Sequence, residues 1–362
     1  MIRVKSKELD YHELELESSN DLVDHDSRRV LGRFAEAASH ALQAGARRER
    51  MGRISLDTGR HADAAEDWLS AASCFLLATA SGRAAEILKI VHGLIAQGNV
   101  PANRRDLHAA LGECDKGLKQ LKRKERRFLA EFGAEHELNR PDEDTLRFLQ
   151  ERLRDLPGFA DLHYAIFRQA LGLGRQDLAE EHLRWAVTFG PGNANRVAIL
   201  GNLHINRGRP DLAVALGENF LETQAANAGQ VRIMLANALG QGTDGSPPDQ
   251  GRALEVLRPV VDVVAGHAPK QRVAALALSA TFACELGREE QFGHMVEELN
   301  CLERTVEAVE LRGVIAGLRK IFERSKSNGA AGPSRGKSRL LPERLKVFES
   351  AQELNVMPLL AA

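Results

Sequence analysis

Aromatic residues are scarce in this chain of 362 residues. Two Trp, two Tyr and thirteen Phe make up 5% of it, and Ala and Leu dominate the apolar set. No long run of alternating Val, Ile, Thr and Tyr occurs, which excludes a large sheet. The four cysteines, Cys74, Cys114, Cys284 and Cys301, include no C-x-x-C pair. They fit buried thiols in a reducing compartment better than a disulfide framework or a metal site. No apolar stretch approaches a membrane span, and the opening Met-Ile-Arg-Val-Lys-Ser-Lys-Glu lacks the apolar core of a secretion signal. The expectation is therefore a cytoplasmic protein with no membrane contact. Net charge is −1, so attraction to a polyanion has to be local. The twelve histidines are scattered, and no H-E-x-x-H, G-x-S-x-G, Walker-type loop or strand-borne G-x-G-x-x-G is found. No catalytic residue, cofactor or metal site is expected.

What the chain does have is a phrase that returns. Gly174-Arg175-Gln176-Asp177-Leu178-Ala179 is followed 34 residues later by Gly208-Arg209-Pro210-Asp211-Leu212-Ala213. Looser copies stand at Gly59-Arg60-His61-Ala62-Asp63-Ala64 and Gly287-Arg288-Glu289-Glu290. A glycine turn between apolar segments at this period marks an array of helix hairpins, and such arrays usually bind other macromolecules.

Periodicity orders the rest. Residues 1–26 carry eight acids against Arg3, Lys5 and Lys7 and read as an acidic N-terminal arm. Residues 27–136 read as helical hairpins that end in one long basic helix or two abutting ones from about 104. Within them, helical pattern starts near Ser27, a second helix covers about 45–57, and Pro101 suits a helix first turn. Asp142 is a candidate N-cap before Leu146, Phe148 and Leu149. Residues 137–324 read as the repeat array, with helix pairs near 159–173 and 176–188, 193–207 and 210–224, 228–241 and 250–264, and 270–286 and 288–304, then a closing helix. Residues 325–340 have linker composition, and 341–362 suit a short helix and tail.

The units of 34 residues resemble tetratricopeptide repeats. Residues 160–193 supply Ile166, Gly174, Ala179, Leu183, Ala186 and Pro191, with Phe167 where the family has a glycine. Residues 194–227 supply Val197, Leu200, Gly201, Gly208 and Ala213, with Gly217 in place of a large residue. Residues 45–78 supply Met51, Gly52, Gly59, Ala64, Trp68 and Ala71, whereas 99–158 match poorly. The resemblance implies an all-α, right-handed solenoid of antiparallel hairpins and a scaffold or adaptor that binds a peptide or helix of another protein in a concave groove. It places Tyr164, Arg168, Asn195, Asn202, Asn206 and Arg232 at or beside the groove-lining positions. Asn202 matches one asparagine of repeats that clamp a carboxylate, but Ala198 and Gly229 stand where the clamp lysines would be. Gly52 and Gly201 are expected to let the second helix of their own hairpin approach.

One charge cluster stands apart. Lys116, Lys119, Arg123, Arg126 and Arg127 populate one side of a helical segment, with Leu118, Leu121, Phe128 and Leu129 expected on the other. The alternative partner is a nucleic acid or another anion on this basic face. Aromatics that could stack on bases are not interleaved with it.

Overall fold

The computed structural model describes residues 2–135, 141–224, 228–242, 247–262 and 269–303. The linker expected at 325–340, the closing helix at 305–324 and the tail at 341–362 lie outside the described residues. Among the described residues there are fourteen α-helices and no strand: α1 (Ile2–Val30), α2 (Phe34–Asp57), α3 (His61–Leu77), α4 (Ser81–Ala96), α5 (Arg105–Glu135), α6 (Glu143–Arg152), α7 (Ala160–Gly172), α8 (Gln176–Phe189), α9 (Ala194–Asn206), α10 (Pro210–Thr223), α11 (Gly229–Gln241), α12 (Gln250–Asp262), α13 (Pro269–Glu285) and α14 (Glu289–Glu303). Two compact units divide at Gly190/Pro191.

In the first unit, α1 to α8 pack in succession. The stretch 1–26 is not an arm apart from the helices. It is most of α1, which packs along α2. Its inward face is largely polar, with Ser18, Asp21 and His25 buried beside Leu14. Arg47 of α2 pairs with Glu17 at 2.8 Å and with Asp21, and Arg48 donates to Ser18 Oγ at 3.0 Å. Tyr11 Oη donates to Asp67 Oδ1 of α3 at 2.9 Å, and Ser55 Oγ donates to Asp67 Oδ2 at 3.0 Å. Burial raises the Asp67 carboxyl while these hydrogen bonds pull it back, and burial beside Asp67 pushes the Tyr11 phenol up to about 12. Glu17 and Asp21 are thus used in pairing to α2, which apolar periodicity does not register, while Asp10, Glu13, Glu15, Asp24 and Asp26 stay exposed.

Helix α2 runs unbroken through Gly45, so one helix replaces the two expected between 27 and 57. Gly45 is a close-approach site: a Cβ there would meet the Phe75 ring at 2.6 Å. Gly52 meets Trp68 in the same way, at 2.6 Å, as expected for a hairpin partner. Trp68 Nε1 donates to the Glu49 carbonyl, and the buried Glu49 carboxylate is held by Arg53 and Arg83. One core joins α2, α3, α4 and the start of α5 through Ala64, Trp68, Phe75, Ile87 and Leu111. A second joins α5 to α6 and α7 through Leu121, Phe128, Phe132, Leu146, Leu149 and Ile166. That second core spans residue 136, so the first unit continues past that point to Gly190. Asp142 caps α6 by accepting from Thr145 N–H at 2.8 Å. Pro101 lies in a turn ahead of α5 rather than in its first turn, with its carbonyl accepting from Arg104 N–H.

The second unit comprises α9 to α14. Helices α7 and α9 start 34 residues apart, as do α8 and α10. A single core covers α11 to α14, and α11 and α13 are buried along most of their length. Gly201 serves a neighbour other than the expected one. A Cβ on it would strike Met234 of α11, the first helix of the next hairpin. Ala179 and Ala213 are fully buried, consistent with tight crossings.

The recurring phrase is a helix-ending turn. Gly174 and Gly208 have φ of 73° and 71°, and the arginine after each donates its backbone N–H back to Ala170 and His204. This is the Schellman arrangement, which closes orphan carbonyls and needs a left-handed residue that glycine accepts without strain. The same arginine then opens the next helix: the Arg175 carbonyl accepts from Ala179 N–H.

Cys74, Cys114 and Cys284 are buried thiols, and burial pushes Cys74 up to about 11. Cys301 on α14 is exposed, against the expectation for all four. A thiol titration of native protein is therefore expected to count one fast-reacting group, with the other three appearing only in denaturant. Three or more fast groups in native protein would contradict this burial pattern.

Candidate partner-binding faces

The groove-lining residues expected from sequence fall in both units. Tyr164 and Arg168 are half-buried on α7 of the first unit, where the Tyr164 ring lies 5.5 Å from that of Phe167. Asn195, Asn202 and Asn206 are on α9, and Arg232 is on α11, helices that pack against one another in the second unit. Asn206 is exposed, and the other three are half-buried. Ala198 and Gly229 are buried, so this pair of helices presents no lysine clamp.

Helix α11 is apolar on almost every side. Between Gly229 and Gly240 only Gln230 and Arg232 are short of full burial. Burial lowers the Arg232 pKa, and among the described residues no carboxylate pairs with it. The Asn202 amide oxygen, Oδ1, is shut from water and has no hydrogen-bond partner among the described residues. A half-buried cation and an unsatisfied buried amide oxygen both carry a desolvation cost.

Helix α5 carries the other expected face. Cys114, Leu121, Phe128 and Phe132 point into the unit, while Lys116, Lys119, Arg123, Arg126 and Arg127 are exposed. Leu129 was expected on the inward side but is 47% exposed, and Phe132 takes the buried position one turn on. At 100° per residue Leu129 falls on the flank, where a helix packed on one side leaves it wet. Glu125, the one acid in the run, turns inward and accepts from Ser81 Oγ at 2.9 Å. Beside α5 a groove of about 510 Å³ is lined by Leu76, Ala110, Cys114, Leu121, Lys124 and Asp155, among others.

Sequence reasoning missed one buried pair. His163 Nδ1 and His182 Nδ1 lie 3.0 Å apart, and His163 Nε2 is 2.7 Å from the Pro157 carbonyl. A carbonyl only accepts, so His163 Nε2 carries the proton. His163 Nδ1 is then the lone-pair side, and His182 Nδ1–H donates to it. Burial holds His163 down at about 3 and His182 at about 4. Their sequence separation of 19 residues gave no signal, because only the hairpin of α7 and α8 brings them together.

The described residues contain no cluster of three or more His, Cys, Asp or Glu able to hold a metal, and none of their helices is long and apolar enough to cross a membrane. The 34-residue offset, the glycine-ended turns and the small residues at the crossings define the hairpin type. The described residues form antiparallel helix hairpins that resemble tetratricopeptide repeats. No known protein family and no curated protein matches it. Among solved structures, the crystal structure of the P58(IPK) TPR domain is similar at 14% identity, with 94% of this chain and 99% of that chain covered and a TM-score of 0.25.

Proposed function

We propose that this chain is a non-catalytic binding scaffold, and that α9 and α11 of its second unit receive an extended segment or helix of a protein partner. Arg232 carries the reading: it is a half-buried cation on an otherwise apolar helix, its pKa lowered by burial, with no carboxylate paired to it among the described residues. A partner carboxylate or backbone carbonyl would satisfy it, and Asn195 and Asn202 on the adjacent helix add hydrogen-bonding groups.

Selection of random 12-residue peptides displayed on phage against the full chain tests this. Enriched peptides are expected to carry an acidic residue. Arg232→Ala is expected to weaken them roughly 10-fold to 100-fold, the range for losing a charge-assisted hydrogen bond. Asn202→Ala should weaken them less. If no peptide is enriched, or if enriched peptides bind Arg232→Ala as well as wild type, the proposal fails.

A further inference from the structure

We infer that the outward face of α5 is a docking surface for the phosphate backbone of a DNA duplex, independent of base sequence. This goes beyond the peptide-binding reading and uses a different unit.

The first observation is unpaired charge. Many surface arginines of this chain are paired, Arg104 with Glu66 and Asp106, Arg152 with Glu131, Arg175 with Glu143, Arg272 with Glu298, although Arg29, Arg154 and Arg209 pair with no carboxylate among the described residues. On α5, Lys116, Lys119, Arg123 and Arg126 pair with no carboxylate among the described residues, and only Arg127 does, with Glu131. Like charges stand one turn apart at Lys119 and Arg123, Lys122 and Arg126, and Arg123 and Arg127. Each such pair opposes the helix. The helix holds because its other side is buried through Leu121, Phe128 and Phe132. An arrangement that works against local stability on an exposed face is relieved when a polyanion lies on it.

The second observation is what the face lacks, which selects among polyanions. Its aromatics, Phe128 and Phe132, point inward, so stacking on single-stranded bases is not offered. It has no aromatic or aliphatic anchor at its centre to act as a hot spot, so an acidic protein is a poor fit. A membrane-surface helix needs an apolar side facing the lipid, and here that side is in the core, with Leu129 alone exposed at the flank. Phosphate contacts need only cations held in register. From Lys116 to Arg127 the face runs about 17 Å along the helix axis, a length over which a duplex presents about ten phosphate charges. A helix of 10–12 Å diameter matches a B-form major groove of roughly 12 Å, whereas the major groove of A-form RNA is too narrow for side chains to read.

Fluorescence anisotropy of a labelled 24-base-pair DNA duplex of arbitrary sequence, titrated with the full chain, tests the inference. With about five phosphates neutralised, log K against log salt should have a slope of about −4 to −5, roughly 500-fold weaker binding at 200 mM than at 50 mM. The triple variant Lys119→Gln, Arg123→Gln, Arg126→Gln should shallow the slope by nearly 3 and weaken binding at 50 mM at least 10-fold. Its melting temperature should be unchanged or higher, since repulsion is relieved. Arg258→Gln on α12 should leave binding as it was. Absence of duplex binding at 50 mM, a slope that the triple variant does not change, or binding to phosphatidylserine vesicles or polyglutamate at least as tight as to the duplex would each overturn the inference.

Discussion

Gly158→Ala is expected to destabilise the first unit by about 3 kcal/mol or more in chemical denaturation, at the upper end of what overpacking costs. A Cβ at this position would land on the backbone carbonyl oxygen of Ala78. Backbone cannot rotate away as the end of a side chain can, so either the turn before α7 or the end of α3 has to move. That end is already constrained. Thr79 has φ of 52°, a left-handed conformation that the equivalent turns at Gly59, Gly98 and Gly174 give to glycine. The strain of order 1 kcal/mol is tolerated where the threonine adds a contact: its Oγ1 accepts from Gly158 N–H at 2.7 Å. Displacing Gly158 therefore removes a hydrogen bond and leaves the strain. Gly93→Ala on α4 is the control. A Cβ there meets nothing within 4 Å, and alanine in a helix interior should stabilise by about 0.5–1 kcal/mol. If Gly158→Ala unfolds within about 0.5 kcal/mol of wild type, the close approach is not as described.

The second large effect is pH dependence from the buried histidines. An ordinary histidine titrates near 6.5, whereas His163 is held at about 3 and His182 at about 4. Between pH 6.5 and 4 the unfolded chain takes up protons at these positions that the folded chain refuses, so stability is fully present above 6.5 and lost as pH falls. Each group contributes a slope of about 1.4 kcal/mol per pH unit, and together they should remove roughly 2–4 kcal/mol by pH 5. His182→Asn isolates one of them. Its amide N–H can stand in for Nδ1–H as donor to His163 Nδ1, but it does not titrate. Urea unfolding from pH 7.5 to 5 should then show the variant shallower than wild type by about one proton's worth of slope. Parallel curves would mean that His182 is not the buried neutral group inferred from its contacts.

Particular residues show what was readable before folding. The glycine turns were legible because a left-handed residue between two helices has a narrow chemical solution, and the glycines at 59, 98, 174, 208 and 287 adopt it. Asp142 was legible as a cap for the same local reason. The basic side of α5 followed from counting around a helix, although Leu129 is exposed rather than inward, since angular position alone does not say how wide the buried sector is. Helix α1 was not legible. Its packed side is Ser18, Asp21 and His25, and polar residues signal burial only when the partners Arg47 and Arg48 are known. Gly201 was legible as a close-approach site but not as to its neighbour, because Met234 comes from the next hairpin.

By itself the sequence determined the glycine turns and the 34-residue hairpin, because these depend on residues within a few turns of one another: apolar spacing, a glycine with positive φ, a small residue at a crossing. Only the tertiary structure decided which polar groups are withdrawn from water. Asp67, His163 and Asn202 are ordinary polar residues in the chain and become unusual ones when distant helices close over them, since desolvation is a property of the surroundings and not of the residue.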